Sequence, residues 1–280
     1  MGLFIMEDEP FRSFLLYDFS VVIYTQLKYH LEQQTGMELK GKHVVITGAA
    51  KGIGKAIALR LAETGCEILA ADVDDAEGKQ TIQEINAVSR GYYVHADISK
   101  EKDVRHLKHE ADLLWDDVNI LINNAAIQTE DPLFETTIAD FRRVVDTNLV
   151  GTFMMCSVFA RDMKEHDTIL NMLSVHYEKP RLNKFGYDAS KAGIAIMTEE
   201  LALALADRHV TVNGISYGAV RTAMNADWTD EESAAVREKI PLEWIAEPEE
   251  IAEYTKVILE TFSEHATGSV FTIDGGRRLK

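Results

Sequence analysis

From Lys42 onward, short apolar runs alternate with longer stretches of helical periodicity. Most of the apolar runs are continuous, which is typical of strands covered by helices on both faces. Alternation of such strands with helices indicates βαβ units and a parallel sheet. We therefore predict one α/β domain with a doubly wound, mainly parallel, seven-stranded sheet and helices on both faces. The predicted strands cover residues 44–46, 67–71, 92–96, 119–122, 169–173, 210–215 and 270–273, and the longest predicted helices cover about 137–164 and 187–206.

The first 40 residues do not follow this alternation. Their apolar residues recur at helical spacing, and Gly36 would suit a helix stop. We predict a helical appendage over residues 1–40, whose apolar stripe packs on the domain or on another subunit, and an α/β domain over residues 41–280. The apolar stretch 14–27 contains Asp18 and is too short to span a bilayer. The acidic residues 7–9 do not resemble a secretory leader.

The overall charge limits the partners that we expect. A net charge of -17 repels phosphate backbones and anionic lipid, so neither nucleic acid nor a membrane surface is an expected partner. Cys66 and Cys156 lie in apolar, regularly patterned stretches, which predicts buried thiols and a reducing cytoplasm. The nine histidines have no metal-ligand spacing, so no metal is expected.

A glycine-rich turn, residues 47–54, follows the first strand and opens the first helix. Gly48 permits a tight turn, Gly52 lets the backbone approach a pyrophosphate, and Gly54 allows close packing of helix on strand. The free N–H groups at the helix N-terminus attract the phosphates. The turn therefore predicts a Rossmann-like dinucleotide site. Its other expected contacts are Ala50, Lys51 and Ile53.

Asp72 ends the second predicted strand. A carboxylate there hydrogen-bonds the adenosine ribose and repels a 2′-phosphate, which favours NAD over NADP. Lys51 argues the other way, because a cation in the turn could receive that phosphate. Another interpretation is that Asp72 only caps the following turn. We give the carboxylate more weight and predict NAD.

Tyr187 and Lys191 are four residues apart at the start of a predicted helix, so both side chains project from one face. Tyr24 and Lys28 have the same spacing, so the spacing alone is weak evidence. The context is stronger, because Ser174 ends a buried strand upstream of Tyr187.

These features follow one another along the chain in an order that resembles the short-chain dehydrogenase/reductase family, over residues 40–276. The matching pieces are the 47–54 turn, Asp97-Ile98, Asn-Asn-Ala-Ala at 123–126, Asn148, Ser174, Tyr187 with Lys191, and Asp-Gly-Gly at 274–276. The resemblance implies an NAD(P)-dependent enzyme and a homotetramer built from the two long helices. It implies a catalytic tetrad of Asn148, Ser174, Tyr187 and Lys191. The further cofactor contacts that we expect are Asp97, Ile98, Asn124, Ala125, Ala126, Tyr187, Lys191, Gly218, Val220 and Thr222.

Segments 171–176, 197–199, 225–226 and 245–252 are similar to bacterial glucose 1-dehydrogenases. This narrower likeness implies oxidation of a sugar or another secondary alcohol. The last segment also occurs in 3-oxoacyl-carrier-protein reductases, which are the alternative among enzymes. A non-catalytic NAD-binding sensor or scaffold is the alternative of another class.

In the expected mechanism, Tyr187 takes the hydroxyl proton as a phenolate and Ser174 holds the substrate oxygen. Lys191 is expected to lower the pKa of the tyrosine, and Asn148 to position a relay water. His176 follows Ser174 closely, and it either contacts the substrate or has a structural role.

Two further segments bear on the substrate. Residues 223–243 lie where the family has its mobile substrate lid, although an ordinary pair of surface helices is equally compatible with the sequence. Tyr217 replaces the family's usual proline before Gly218. Losing the fixed φ of proline is expected to loosen the turn beside the nicotinamide.

Overall fold

The structure is a computed structural model, and it describes residues 37–222, 228–262 and 265–280. Its seven strands are all parallel and follow the order β3-β2-β1-β4-β5-β6-β7. The predicted doubly wound α/β fold is therefore confirmed. The strands are β1 His43–Thr47, β2 Glu67–Asp72, β3 Gly91–His95, β4 Ile120–Asn123, β5 Thr168–Ser174, β6 Thr211–Tyr217 and β7 Val270–Ile273.

Helices connect the successive strands on both faces of the sheet. Within the described ranges the α-helices are α1 Gly52–Glu63, α2 Asp75–Ile85, α3 Glu101–Leu114, α4 Ile138–Val145, α5 Gly151–Phe159, α6 Phe185–Leu205, α7 Asp230–Arg237 and α8 Pro248–Phe262.

The strand order reverses between β1 and β4, which are neighbours in the sheet although two strands separate them in sequence. Chain segments leaving the carboxyl ends of β1 and β4 therefore diverge to opposite sides. Such a switch point leaves a crevice at the sheet edge, where ligands bind in open α/β folds. The glycine turn after β1 and the loop after β4 both border this crevice.

The core has two layers because successive strand residues point to opposite faces. Ile46 packs with Ile57 of α1 and Leu259 of α8 on one face. Val45 packs with Phe159 of α5 on the other face. Burial on both faces explains why the strand segments are continuous apolar runs.

The start of the domain lies within the described residues. Met37 and Leu39 are buried in the same cluster as Ile46. The predicted boundary at residue 40 therefore falls inside a segment that already packs with the core. The rest of the predicted appendage, residues 1–36, lies outside the described residues.

The predicted helix over 137–164 is not continuous. A π-helical segment, Asp146–Val150, separates α4 from α5, and α5 ends at Phe159. Apolar periodicity cannot reveal one widened turn, because the flanking helices keep their own faces buried.

The segment predicted as a lid or a pair of surface helices contains α7. Thr229 and Glu232 form a reciprocal capping box at its start. Residues 223–227 lie outside the described residues. Trp228 and Glu232 line the crevice, so part of this segment borders the site.

Candidate active site

The glycine turn after β1 is built on close backbone approaches. Gly48 has φ +65°, and a Cβ there would lie 2.7 Å from the Cα of Ala125. A Cβ on Gly54 would lie 2.1 Å from the carbonyl oxygen of Gly48. The first residue before α1, Lys51, makes no side-chain cap, so its side chain leaves the N-terminal amides of the helix uncovered. Uncapped amides at a helix N-terminus suit a phosphate, and the turn therefore fits a dinucleotide.

Asp72 does cap the following turn, as the alternative interpretation holds. Its Oδ1 accepts hydrogen bonds from the amides of Val73 at 2.7 Å and Asp74 at 3.1 Å. Its Oδ2 accepts one from the amide of Ala50 at 2.9 Å, which ties β2 to the glycine turn. The carboxylate also lines the cleft, so the capping role and a ligand-binding role are compatible.

Lys51, the cation that could receive the 2′-phosphate of NADP, already has an anionic partner. Nζ of Lys51 lies 3.1 Å from Oδ2 of Asp74. The hydrogen bond from Lys51 lowers the pKa of Asp74, which keeps that carboxylate charged. Asp72, Asp74 and Asp75 all line this end of the cleft, so its wall is acidic.

Asn124 fixes the loop after β4 against the glycine turn. Its Nδ2 donates to the carbonyl oxygens of Thr47 at 3.0 Å and Gly48 at 2.9 Å. The hydroxyl of Thr47 accepts from the amides of Asn124 and Ala125, each at 3.1 Å. Sequence reasoning missed this role of Thr47, although it directly precedes Gly48.

The crevice is a cleft of about 1270 Å³, larger than usual for a drug-sized ligand. Most predicted site residues border it, and the exceptions, Ala50, Gly54, Asn148 and Lys191, lie behind its wall. The predicted residues that line it are Gly48, Lys51, Gly52, Ile53, Asp72, Asp97, Ile98, Asn124, Ala125, Ala126, Ser174, His176, Tyr187, Gly218, Val220 and Thr222.

Ser174 and Tyr187 lie together on the cleft wall. Ser174 is the last residue of β5 and Tyr187 belongs to the first turn of α6; both are buried. Burial raises the pKa of Tyr187 to about 12, and the hydrogen bond with Ser174 lowers it only in part. The phenol is therefore protonated at neutral pH.

Lys191 lies beneath Tyr187 and is only 2% exposed. Its Nζ donates to the carbonyl oxygen of Met172 at 2.6 Å and lies 5.6 Å from the centroid of the Tyr187 ring. Burial lowers the pKa of Lys191 to about 8. Burial of the phenol is the largest effect on the pKa of Tyr187, and the lowering of that pKa by Lys191 stays a prediction.

Asn148 lies in the π-helical segment and uses its whole side-chain amide within the protein. Its Oδ1 accepts from the amide of Ile127 at 2.8 Å, and its Nδ2 donates to the carbonyl oxygen of Ile127 at 2.9 Å and to Oγ of Ser190 at 3.1 Å. Both amide hydrogens are therefore used. The side chain fastens the loop after β4 to α6 and has no hydrogen left to donate to a relay water.

His176 offers the cleft a hydrogen-bond acceptor. Its Nδ1 lies 3.0 Å from the carbonyl oxygen of Lys179, and since a carbonyl only accepts, Nδ1 carries the proton. Nε2 is then an acceptor. Burial lowers the pKa of His176, so the ring is neutral at pH 7.

Tyr217, where the family usually has proline, belongs to a regular strand. It lies in β6, paired with Ser174 on one side and Ile273 on the other. Sheet pairing on both sides restrains its backbone, and the loosening expected from the loss of proline stays a prediction. Its side chain lines the cleft, and burial raises its pKa.

A group of cationic side chains on the cleft wall was not predicted from the sequence. Arg143, Arg181, Lys184 and Arg277 line the cleft together with Glu130. Arg277 directly follows the Asp-Gly-Gly segment, which was the one available signal. The others come together only through the fold.

Neither a membrane-spanning helix nor a cluster of metal ligands occurs in the part of the chain that the structure describes. Between residues 37 and 280, leaving out the undescribed gaps, no helix has the length and apolarity to cross a membrane. In the same part of the chain, no three histidine, cysteine, aspartate or glutamate side chains converge as potential metal ligands.

The fold and the site define an NAD(P)-dependent oxidoreductase that acts on CH–OH groups. A family model described as enoyl-(acyl carrier protein) reductase matches residues 48–278. The chain is 36% identical to 3β-hydroxysteroid dehydrogenase 1 of Eggerthella lenta over 86% of this chain and 95% of that protein. It is 33% identical to glucose 1-dehydrogenase 2 of Bacillus subtilis over 86% and 96% of the two chains.

Among solved structures, the 3-ketoacyl-(acyl-carrier-protein) reductase of Brucella melitensis complexed with NADH superposes with a TM-score of 0.78. It is 29% identical, and the match covers 86% of this chain and 99% of that one. The chain belongs to the short-chain dehydrogenase/reductase family.

Proposed function

We propose that this enzyme is an NAD-dependent dehydrogenase of sugars or other secondary alcohols, with Asn148, Ser174, Tyr187 and Lys191 as its tetrad. The observation that supports this most directly is the placement of Ser174 and Tyr187 on one cleft wall, above a buried Lys191. A hydroxyl held by Ser174 would lie within reach of the phenol. This arrangement favours the enzyme over a non-catalytic sensor.

The cofactor would lie along the sheet edge. The glycine turn and the amides of α1 would hold its pyrophosphate, Asp72 its adenosine ribose, and Asp97 with Ile98 its adenine. The acidic wall and the Lys51–Asp74 ion pair both disfavour a 2′-phosphate. We therefore propose NAD, which a comparison of kcat/KM for NAD⁺ and NADP⁺ tests directly.

The proton step requires the phenol of Tyr187 to ionise. Moving a pKa from about 12 to near neutrality takes about 7 kcal/mol. One cation at ~4 Å supplies about 4 kcal/mol at an effective dielectric near 20. Lys191 alone is therefore insufficient. The bound oxidised cofactor supplies the hydride acceptor and a second positive charge.

The chain's own residues then have distinct tasks. As a phenolate, Tyr187 takes the proton of the substrate hydroxyl, and Ser174 orients the substrate oxygen. Nε2 of His176 accepts a hydrogen bond from another hydroxyl of the substrate. Asn148 keeps the loop after β4 in place.

Tyr187→Phe should lower turnover by about 10²–10⁴-fold, because it removes the proton-transferring group. NAD binding, measured by calorimetry, should remain nearly intact. The control is Tyr254→Phe, which changes an exposed tyrosine on α8. Turnover that survives in Tyr187→Phe would contradict the mechanism.

Oxidation of a panel of sugars and polyols with NAD⁺ and NADP⁺ separates the candidate substrates. A 3-oxoacyl thioester with NADPH covers the alternative, which the likeness to the Brucella reductase favours and the acidic wall disfavours. NAD binding without turnover of any substrate in the panel would instead favour the sensor.

We further propose a homotetramer in a reducing cytoplasm. Phe153 of α5 and Ile196 of α6 are 53% and 60% exposed and border one apolar groove. Exposed apolar surface of this kind suits a subunit contact. Both cysteines are free and buried, which is compatible with the cytoplasm.

A further inference from the structure

The substrate end of the cleft is positively charged although the chain as a whole carries a net charge of -17. Arg181, Lys184 and Arg277 all border it. A single carboxylate, Glu130, pairs with two of them: it lies 3.1 Å from Arg181 and 2.8 Å from Lys184. Positive charge therefore exceeds negative charge on this part of the wall.

Arg277 differs from the other cations of the group. Among the described residues, no carboxylate lies within 4 Å of its guanidinium. Its nearest acidic neighbour in sequence, Asp274, accepts hydrogen bonds from the amides of Gly276 and Arg278, each at 2.8 Å. Burial and the charge of Arg181 both lower the pKa of Arg277, so its surroundings in the folded protein disfavour the charged form.

Glu178 and Asp188, two further carboxylates of this region, each have a partner other than Arg277. Glu178 pairs with Arg278 at 3.5 Å. Oδ2 of Asp188 accepts a hydrogen bond from the amide of Arg181 at 2.6 Å, and its buried Oδ1 has no hydrogen-bond partner among the described residues, the Arg277 guanidinium included. A half-buried guanidinium without an anionic partner, on the wall of a ligand cleft, is the donor that a carboxylate or phosphate would use.

The cofactor's phosphates do not account for this cation. Arg277 follows β7, whereas the glycine turn follows β1 and Asp72 ends β2. At a strand spacing of about 4.8 Å, β7 lies roughly 19 Å from β1 and roughly 24 Å from β2. The charged groups that act on Arg277 are Arg181 and Asp274, and Arg277 in turn acts on His176, two residues after Ser174.

We propose that the alcohol substrate carries an oxyanion, a carboxylate or a phosphate, which Arg277 binds at the far end of the cleft from the adenosine site. The proposal rests on the dehydrogenase function above and specifies its substrate class. Ser174 and Tyr187 hold the reacting hydroxyl, His176 accepts from a neighbouring hydroxyl, and Arg277 fixes the anionic end. Hydroxy acids or phosphorylated sugars are therefore better substrates than the corresponding neutral polyols.

Matched pairs of compounds test the proposal. Gluconate is compared with glucitol, lactate with propane-1,2-diol, and glucose 6-phosphate with glucose, each with NAD⁺. At least one anion should have a kcat/KM about tenfold or more above its neutral partner. The first two pairs report a carboxylate and the third reports a phosphate.

Arg277→Gln should reduce kcat/KM for the preferred anion about tenfold or more, with kcat/KM for its neutral partner and KM for NAD⁺ nearly unchanged. Arg278→Gln is the matched control, because it removes the same charge from the next residue, which does not line the cleft. Arg277→Lys, which keeps the charge, should recover part of the loss.

A binding measurement makes the outcome independent of turnover. Calorimetric titration of each anion should give weaker binding to Arg277→Gln than to Arg278→Gln. Equal losses for the anion and its neutral partner, or no anion bound by the unmodified protein, would overturn the proposal. If no alcohol reduces NAD⁺ yet anion binding requires Arg277, the dehydrogenase assignment fails and the anion site stands.

Discussion

Lys191 illustrates a conflict between activity and stability at the scale of one residue. Its folded pKa of about 8 lies below the ordinary value of 10.5. At pH 7 the folded state must hold a proton that the buried site disfavours, at a cost of about 3 kcal/mol. Between pH 8 and 10.5 the unfolded chain binds more protons, so this contribution to stability rises with pH.

Lys191→Met should therefore abolish turnover and still raise Tm at pH 7. The net gain is about 1–2 kcal/mol, because the carbonyl of Met172 loses its partner. Thermal melts at pH 7 and near pH 10 measure it, and the gain should shrink at the higher pH. Lys102→Met, on an 82% exposed side chain, should change neither value. A lower Tm for Lys191→Met at pH 7 would contradict this account.

At the scale of elements, the π-helical segment between α4 and α5 determines where Asn148 points. Such widened turns often occur at functional sites, where they redirect a side chain. Here the redirected amide makes three hydrogen bonds, two of them to the backbone of Ile127. The segment therefore fixes one wall of the cleft.

Asn148→Ala should destabilise the protein by about 2–3 kcal/mol, because it leaves the N–H and C=O groups of Ile127 without these partners. Differential scanning calorimetry would detect a fall in Tm of roughly 5–10 °C. Asn86→Ala is the control, since its side chain accepts a single exposed amide, that of Gly91. A similar loss in both variants would mean that the π-helical segment does not depend on Asn148.

The strands were predicted to within about two residues, because β-branched runs that must be buried on both faces leave little choice of register. The glycine turn was predictable from its place between a strand and a helix, whereas Ser174 and Tyr187 were identified through the resemblance to the short-chain dehydrogenase/reductase family. The cationic group was not predictable, because Glu130, Arg181 and Arg277 meet only when the fold is complete. The raised pKa of Tyr187 was not predictable either, because it depends on how deeply the folded protein buries the phenol.

At the scale of the whole molecule, α5 and α6 present an apolar groove that the proposed tetramer would cover. Its lining includes Phe153, Ile196 and Leu201. The cleft lies at the carboxyl ends of the strands, so assembly through helices would leave it open. Catalysis and assembly would then use different surfaces of one fold.

Ile196→Glu should dissociate the assembly, because it places a charge in an apolar contact. Sedimentation velocity measures the change, with a shift from tetramer to smaller species expected. Val88→Glu introduces the same charge at an exposed apolar residue after α2 and should leave the assembly unchanged. A monomeric unmodified protein would refute the proposed tetramer.

The three hydrogen bonds that Asp72 accepts have an evolutionary consequence. Replacing Asp72 by an apolar side chain would release the turn after β2 and its tie to Ala50 at once, whatever the change does to coenzyme binding. A substitution at position 72 therefore changes local stability together with coenzyme binding. Whether such a mutation is tolerated then depends on the substitutions that the chain already carries around this turn.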